Sequence, residues 1–270
     1  PLTFTNTYSL GSTTASFPVK KELIVPEGLE GPAEWSYTIN VAANNGAPEA
    51  ATMTGTITNE TVNGTVTFGD FTFTEPGTYT YTVTESGEID GVTNDAAAES
   101  GKTVTITVVD NGDGTLTATA SSTADAPLTF TNTYSVEYTE ASFPVKKELI
   151  VPEGLEGPAE WSYTINVAAN NGAPEAATMT GTITNETVNG TVTFGDFTFT
   201  EPGTYTYTVT ESGEIDGVTN DAAAESGKTV TITVVDNGDG TLTATASSTA
   251  DAPLTFTNTY SLGSTTASFP

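Results

Sequence analysis

Hydrophobic and polar residues alternate with a period of two along nearly the whole chain, the spacing of half-buried β-strands. Phe17, Val19, Lys21 and Leu23 share one face of a first strand, with Pro18, Lys20 and Glu22 on the other. Trp35, Tyr37, Ile39 and Val41 predict a second strand, and Met53 with Ile57 a third. Val62, Val66 and Phe68 follow around an Asn63-Gly64 turn, and then come Phe71 and Phe73. Tyr79, Tyr81, Val83 and Glu85 point one way on the next strand, and Thr78, Thr80, Thr82 and Thr84 the other. Val104, Ile106 and Val108 lead into a turn at Asp110–Gly114, Leu116 and Ala118 answer across that hairpin, and Leu128, Phe130 and Asn132 close the series. Roughly eight short strands with turn signals about every ten residues predict an all-β, immunoglobulin-like β-sandwich. Residues 95–100 (DAAAES) alone offer a helical turn.

The series then repeats. Ala15–Ser135 recurs letter for letter as Ala141–Ser261, an offset of 126 residues, and PLTFTNTYS occurs at 1–9, 127–135 and 253–261. The expected organisation is a tandem of identical sandwiches, 15–135 and 141–261. Residues 1–9 are then the last strand of a preceding repeat, and 262–270 a linker and the start of the next. A unit of this length can own a core, so the chain reads as an excerpt from a longer array of beads rather than a solenoid. Linkers of five residues, LGSTT at 10–14 and VEYTE at 136–140, leave neighbouring beads little freedom and predict a stiff rod.

Composition narrows the chemistry. Six Lys+Arg face 34 Asp+Glu, for a formal charge of −28, and His and Cys are absent. The chain therefore has no thiol nucleophile, no Ser/His/Asp triad, no imidazole ligand and no disulfide. Nucleic acid and anionic membrane surfaces are excluded as partners, because little here could neutralise a phosphate backbone. No apolar run has the length of a membrane span. No metal or cofactor is expected. Asp110–Thr115 (DNGDGT) lacks the spacing and terminal Glu of a calcium loop and reads as a hairpin turn. The acidic surplus reads as a solvated surface that keeps repeated β domains from pairing edge to edge.

Three polar residues break the pattern. Lys21, Glu85 and Asn132 each lie on the core face of their strand, and the second unit repeats them as Lys147, Glu211 and Asn258. Any one of them alone is also what a strand end gives: a snorkelling lysine, a loop-starting Glu, a capping Asn. Together they can react. Burial among aromatic residues lowers the pKa of a lysine amine and makes it a nucleophile. A buried carboxyl is favoured as the neutral acid, and as an acid Glu85 would hydrogen-bond the Asn132 carbonyl oxygen and polarise the carboxamide. The same group would carry protons to the departing ammonia.

VKKEL on the first strand, FTEPGTYTYTVTE in the middle and LTFTNTY at the end resemble the isopeptide-linkage domains of Gram-positive pilins and surface adhesins. The resemblance covers each whole unit. It implies that a first-strand Lys bonds covalently to a last-strand Asn with help from a buried acid: Lys21–Asn132 with Glu85, and Lys147–Asn258 with Glu211. It also implies that the first and last strands are neighbours. Lys20 is adjacent, but the face argument and the Lys-x-Leu spacing both favour Lys21. Asn6 matches Asn132 and is the orphan of the preceding repeat, with no partner Lys in this chain.

The expected function is a structural stalk or fibre repeat of a bacterial cell-surface adhesin or pilus. Its partners would be adjacent repeats of the same chain and neighbouring chains in a fibre, outside the cell. Each bond forms once, by self-modification, and the chain is not an enzyme in the turnover sense. The alternative is an adhesive module that recognises host protein or glycan. A glycosidase-like pair, Glu75 with Glu85, would stand about 30 Å apart along a strand, too far to cooperate.

Overall fold

Each run of alternation forms a strand in the computed structural model, which describes residues 1–269. The chain divides into two compact units with the break at Ser135–Val136. The first contains β1 (Thr13–Ile24), β2 (Ser36–Ala43), β3 (Thr54–Thr58), β4 (Thr65–Phe73), β5 (Gly77–Ser86), β6 (Val92–Thr93), β7 (Lys102–Asp110), β8 (Leu116–Ala120) and β9 (Leu128–Tyr134). They form a four-stranded sheet in the order β4-β1-β9-β6 and a five-stranded sheet in the order β3-β2-β5-β7-β8. All pairings are antiparallel except β1 with β9, the first and last strands, which run parallel.

The core is where the alternation places it. Phe17, Val19, Ile39, Ile57, Phe71, Tyr81, Val83, Val104, Ile106 and Phe130 are fully buried between the sheets. Phe17 stacks on Phe71 with ring centroids 5.3 Å apart, and Phe71 meets Tyr81 at 4.7 Å. The Tyr81 hydroxyl donates to the Pro48 carbonyl at 2.8 Å, so this core phenol is satisfied, and burial raises its pKa to about 12.

One point differs from the expected pattern. The Val66–Phe68 and Phe71–Phe73 runs are one strand, β4, interrupted by a bulge. Its register against β1 shifts between Phe68 and Phe71, with Asp70 at φ 63°, so Phe68, Phe71 and Phe73 all face inward although the first two are three residues apart. Residues 96–100 form turns, as expected, with Ala98 N–H on the Asp95 carbonyl and Gly101 N–H on that of Ala97, four residues back as in one helical turn. Residues 1–12 carry no strand, and Leu2 and Phe4 are exposed. The Tyr8 hydroxyl donates to Asp110 Oδ1 at 2.8 Å and accepts from the Gly114 N–H.

The second unit repeats the first: β10 (Thr139–Ile150), β11 (Ser162–Ala169), β12 (Thr180–Thr184), β13 (Thr191–Phe199), β14 (Gly203–Ser212), β15 (Val218–Thr219), β16 (Lys228–Asp236), β17 (Leu242–Ala246) and β18 (Leu254–Tyr260). Its sheets run β13-β10-β18-β15 and β12-β11-β14-β16-β17, with β10 parallel to β18.

Candidate functional site

The parallel pairing of first and last strand builds the site. Ser122 holds the entry to β9 against β1: its hydroxyl donates to the Pro18 carbonyl at 2.5 Å and accepts the Leu128 N–H at 2.8 Å. From there Lys21 pairs with Phe130 and Leu23 with Asn132, one two-residue step apart on the same inward face. The Asn63-Gly64 turn closes over β1. Gly64 has φ +58°, and a Cβ there would stand 2.5 Å from the Lys21 carbonyl oxygen, so only glycine fits.

Glu85 comes from the other sheet, on β5, with its register fixed by the Ile39–Glu85 pair. Lys21 Nζ donates to Glu85 Oε1 at 3.2 Å and stands 3.0 Å from Oε2, with both side chains 0% exposed. The contact to Oε2 lacks hydrogen-bond geometry, and that oxygen is buried without a partner. Nζ also lies 4.4 Å from the centre of the Tyr37 ring. Desolvation pulls the Lys21 pKa down, against the opposing pull of Glu85. Burial raises the Tyr37 phenol, with Asn132 acting the other way. In this dry pocket the ion pair and the neutral amine–acid pair differ by one proton moved along a short contact.

Asn132 is fully buried, and both ends of its carboxamide are held. Oδ1 accepts the Asp95 backbone N–H at 2.8 Å, and Nδ2 donates to Asn94 Oδ1 at 2.9 Å. A backbone N–H can only donate, so this fixes which atom of the amide is oxygen. Asn94 Nδ2 in turn donates to the Gly87 carbonyl at 2.8 Å. Among the described residues the donor on the Asn132 carbonyl oxygen is the Asp95 N–H, and the Glu85 carboxylate faces Lys21 Nζ. Tyr37, Asn94 and Asp95 are site residues that the strand pattern did not single out.

The second unit has the same geometry. Lys147 Nζ lies 3.1 and 2.9 Å from the two oxygens of Glu211 and 4.3 Å from the Tyr163 ring centre. Asn258 Oδ1 accepts the Asp221 N–H at 2.8 Å, and its Nδ2 donates to Asn220 Oδ1 at 3.0 Å. Lys20 and Lys146 sit on the outer face beside Glu22 and Glu148. Asn6 is exposed, and no strand forms around it. At the other candidate, the hairpin Asp110–Thr115, Asp113 Oδ1 accepts the Thr115 N–H and hydroxyl and Asp110 Oδ1 accepts the Gly112 N–H, so the acidic side chains serve the turn.

Tandem all-β sandwiches, each with a buried Lys and a buried Asn on parallel terminal strands and an acid from the facing sheet against the Lys, define a class of domain. The chain belongs to the FctA family, described as the Spy0128-like isopeptide containing domain, which matches residues 17–135 and 143–261. Among solved structures it is similar to the major pilin from Streptococcus pyogenes (16% identity, covering 93% of this chain and 99% of that one, TM-score 0.32). A point mutant of that pilin gives 17% identity, coverage of 91% and 99%, and TM-score 0.34. A single B repeat unit of the collagen binding surface protein of Staphylococcus aureus gives 21% identity, coverage of 93% and 100%, and TM-score 0.25. No curated protein matches the chain.

Proposed function

We propose that this chain is a structural repeat of a bacterial surface fibre, a pilus or adhesin stalk. Each unit is closed by one isopeptide bond, Lys21–Asn132 and Lys147–Asn258, with Glu85 and Glu211 handling the protons. The observation that carries this reading is the lysine without solvent, salt-bridged across the core to a carboxylate, beside a buried carboxamide on the neighbouring strand, built twice from identical residues. Membership of the isopeptide family supports it.

The proton on Nζ passes to the Glu85 carboxylate, leaving a neutral amine. Nζ attacks Asn132 Cγ, a proton leaves Nζ for Nδ2 by way of Glu85, and the Cγ–Nδ2 bond breaks. One amide forms, one is lost, and ammonia departs. A carboxamide is a poor electrophile, so fixed geometry must carry much of the barrier, and such preorganisation contributes about 7–11 kcal/mol. The reaction happens once per unit and consumes no external substrate. The chain works outside the cell, in line with adjacent repeats and beside neighbouring chains of a fibre.

Intact mass spectrometry of the whole chain tests this directly. The expected mass is that of the sequence less two ammonia molecules. A homogeneous sample at full sequence mass would overturn the proposal.

A further inference from the structure

Asp95 holds more of the site together than its position in a surface turn suggests. Its carboxylate accepts the Thr131 N–H at 2.9 Å, the Ala97 N–H at 2.9 Å and Lys102 Nζ at 2.6 Å. Lys102 also donates to the Thr129 carbonyl at 2.7 Å and lies 4.9 Å from the Phe130 ring centre. The 94–95 turn is thereby fastened to β9 at Thr129 and Thr131, on either side of Phe130 and immediately before Asn132. The same clamp recurs at Asp221, with Thr257 N–H at 2.9 Å, Ala223 N–H at 3.0 Å, and Lys228 at 2.7 Å, itself 2.6 Å from the Thr255 carbonyl.

Resting on the isopeptide reading above, we propose that the Asn94–Asp95 turn is the carboxamide-activating element of the reaction, and Asn220–Asp221 its counterpart. The Asp95 N–H is the donor that stabilises the oxyanion, and Asn94 Oδ1 holds the departing nitrogen. As Nζ adds to Cγ, the carbonyl π electrons move onto Oδ1, and the N–H already aimed at that oxygen at 2.8 Å stabilises the charge. The Nδ2 lone pair is released from amide resonance and takes the proton that leaves Nζ. Asn94 accepts from one N–H of that nitrogen, which fixes its rotation while the lone pair stays free for the incoming proton. Nitrogen then departs as ammonia with its two original protons and the one from Nζ. Asn94 and the Asp95 amide touch reacting atoms and are catalytic groups. The Asp95 carboxylate and Lys102 act through them and are positioning groups.

The test uses the full chain made by cell-free translation, quenched in denaturant at timed intervals, with ammonia loss followed by intact mass. The paired variant Asn94→Leu, Asn220→Leu should close its bonds about 10- to 100-fold more slowly than the parent chain. Asn94→Asp, Asn220→Asp keeps an acceptor for Nδ2 but loses the donor to Gly87 and Gly213, and should return to within a few-fold of the parent, about threefold or better. A role confined to tying the turn to Gly87 predicts that both variants behave alike. Leu variants that react at the parent rate, or Asp variants as slow as Leu, overturn the proposal. A second measurement needs no change in the turn. In the Glu85→Ala, Glu211→Ala chain, amide exchange at Asp95 and Asp221 should be protected, and adding Asn132→Ala, Asn258→Ala should remove that protection. Rapid exchange before the second change also overturns the proposal. If the parent chain never loses ammonia, the isopeptide reading itself fails, an outcome separate from these.

Discussion

If the proposed bond forms, replacing Glu85 and Glu211 by Ala should remove the acid and leave Lys21 and Asn132 unreacted on neighbouring strands, which turns the proposed lock into a mechanical question. The parallel pairing aligns Val19–Ile24 with Leu128–Thr133, so tension applied through the chain enters at β1 and leaves at β9. A bond between positions 21 and 132 carries that load directly and shields the 110 residues between them. Unravelled at about 3.4 Å per residue, that stretch is about 380 Å of chain per unit. The equilibrium value of the tie is modest, about 5 kcal/mol for a closed loop of this size. For a unit of this length that is about 15–25 °C in Tm. Melting alone is a poor assay, because the variant also leaves a buried lysine without its partner, which by itself costs about 3–5 kcal/mol. Released length is independent of stability. Single chains of the parent protein, pulled by their termini, should stretch without releasing the hidden length, whereas the double variant should release about 380 Å in each of two steps. Parent units that unravel to the same extension as the variant would refute the load-path argument and with it the stalk reading.

Lys21→Ala should leave the first unit at its own full sequence mass with no ammonia lost, while Lys20→Ala should leave its bond intact, since Lys20 lies outside beside Glu22; peptide mass mapping distinguishes them. Burial alone would raise the Asp95 pKa, but the hydrogen bonds from Lys102, Thr131 and Ala97 outweigh it and hold the group at about 2, against an ordinary 3.8. A depressed carboxylate pKa stabilises the fold above the ordinary value and ceases to do so as pH falls through the folded one. The unreacted Glu85→Ala, Glu211→Ala chain should therefore lose about 2 kcal/mol per unit between about pH 4 and pH 2 in denaturant titrations. Adding Asp95→Asn, Asp221→Asn should abolish that loss, and an unchanged acid slope would count against the clamp. Residues 1–9 match β9, so placing a copy of residues 141–252 directly before Pro1 should recruit them as a last strand through Asn6, and the mass should fall by a third ammonia.

What the sequence disclosed was whatever follows from a period of two. Lys21 could be assigned to the core face because Phe17, Val19 and Leu23 flank it at even spacing, and Glu85 because Tyr81 and Val83 precede it in the same way. Where the period breaks, legibility ends. The bulge at Gly69-Asp70 makes one strand look like two, since the shift from Phe68 to Phe71 is odd. Asn94 and Asp95 lie in a turn that has no period, and they reach Asn132 across 38 and 37 residues of chain. Tyr37 was read as core, but its place beneath Nζ depends on the β2–β5 register, a property of pairing that one strand alone does not carry. The Asp95 N–H on the Asn132 carbonyl oxygen was out of reach for the same reason, because it comes from that turn.

Lys21, the lysine proposed to react, contrasts with Lys102, which holds a turn. Each faces a carboxylate and lies over an aromatic ring, so neither feature separates them. The difference is in what serves the charged form. Lys102 donates to a carboxylate and to a backbone carbonyl, and with 30% of its side chain exposed it reaches water for the remainder. Lys21 is 0% exposed, and among the described residues it donates to one carboxylate only, in a pocket closed by Tyr37 and the inner strands. Desolvation disfavours its charged form, against the opposing pull of Glu85. On the isopeptide reading proposed above, burial with fewer acceptors suits Lys21 to be the nucleophile, whereas Lys102, with more of them, fastens the turn. The fastening in turn holds Asp95, whose N–H meets the Asn132 carboxamide that the proposed reaction would attack.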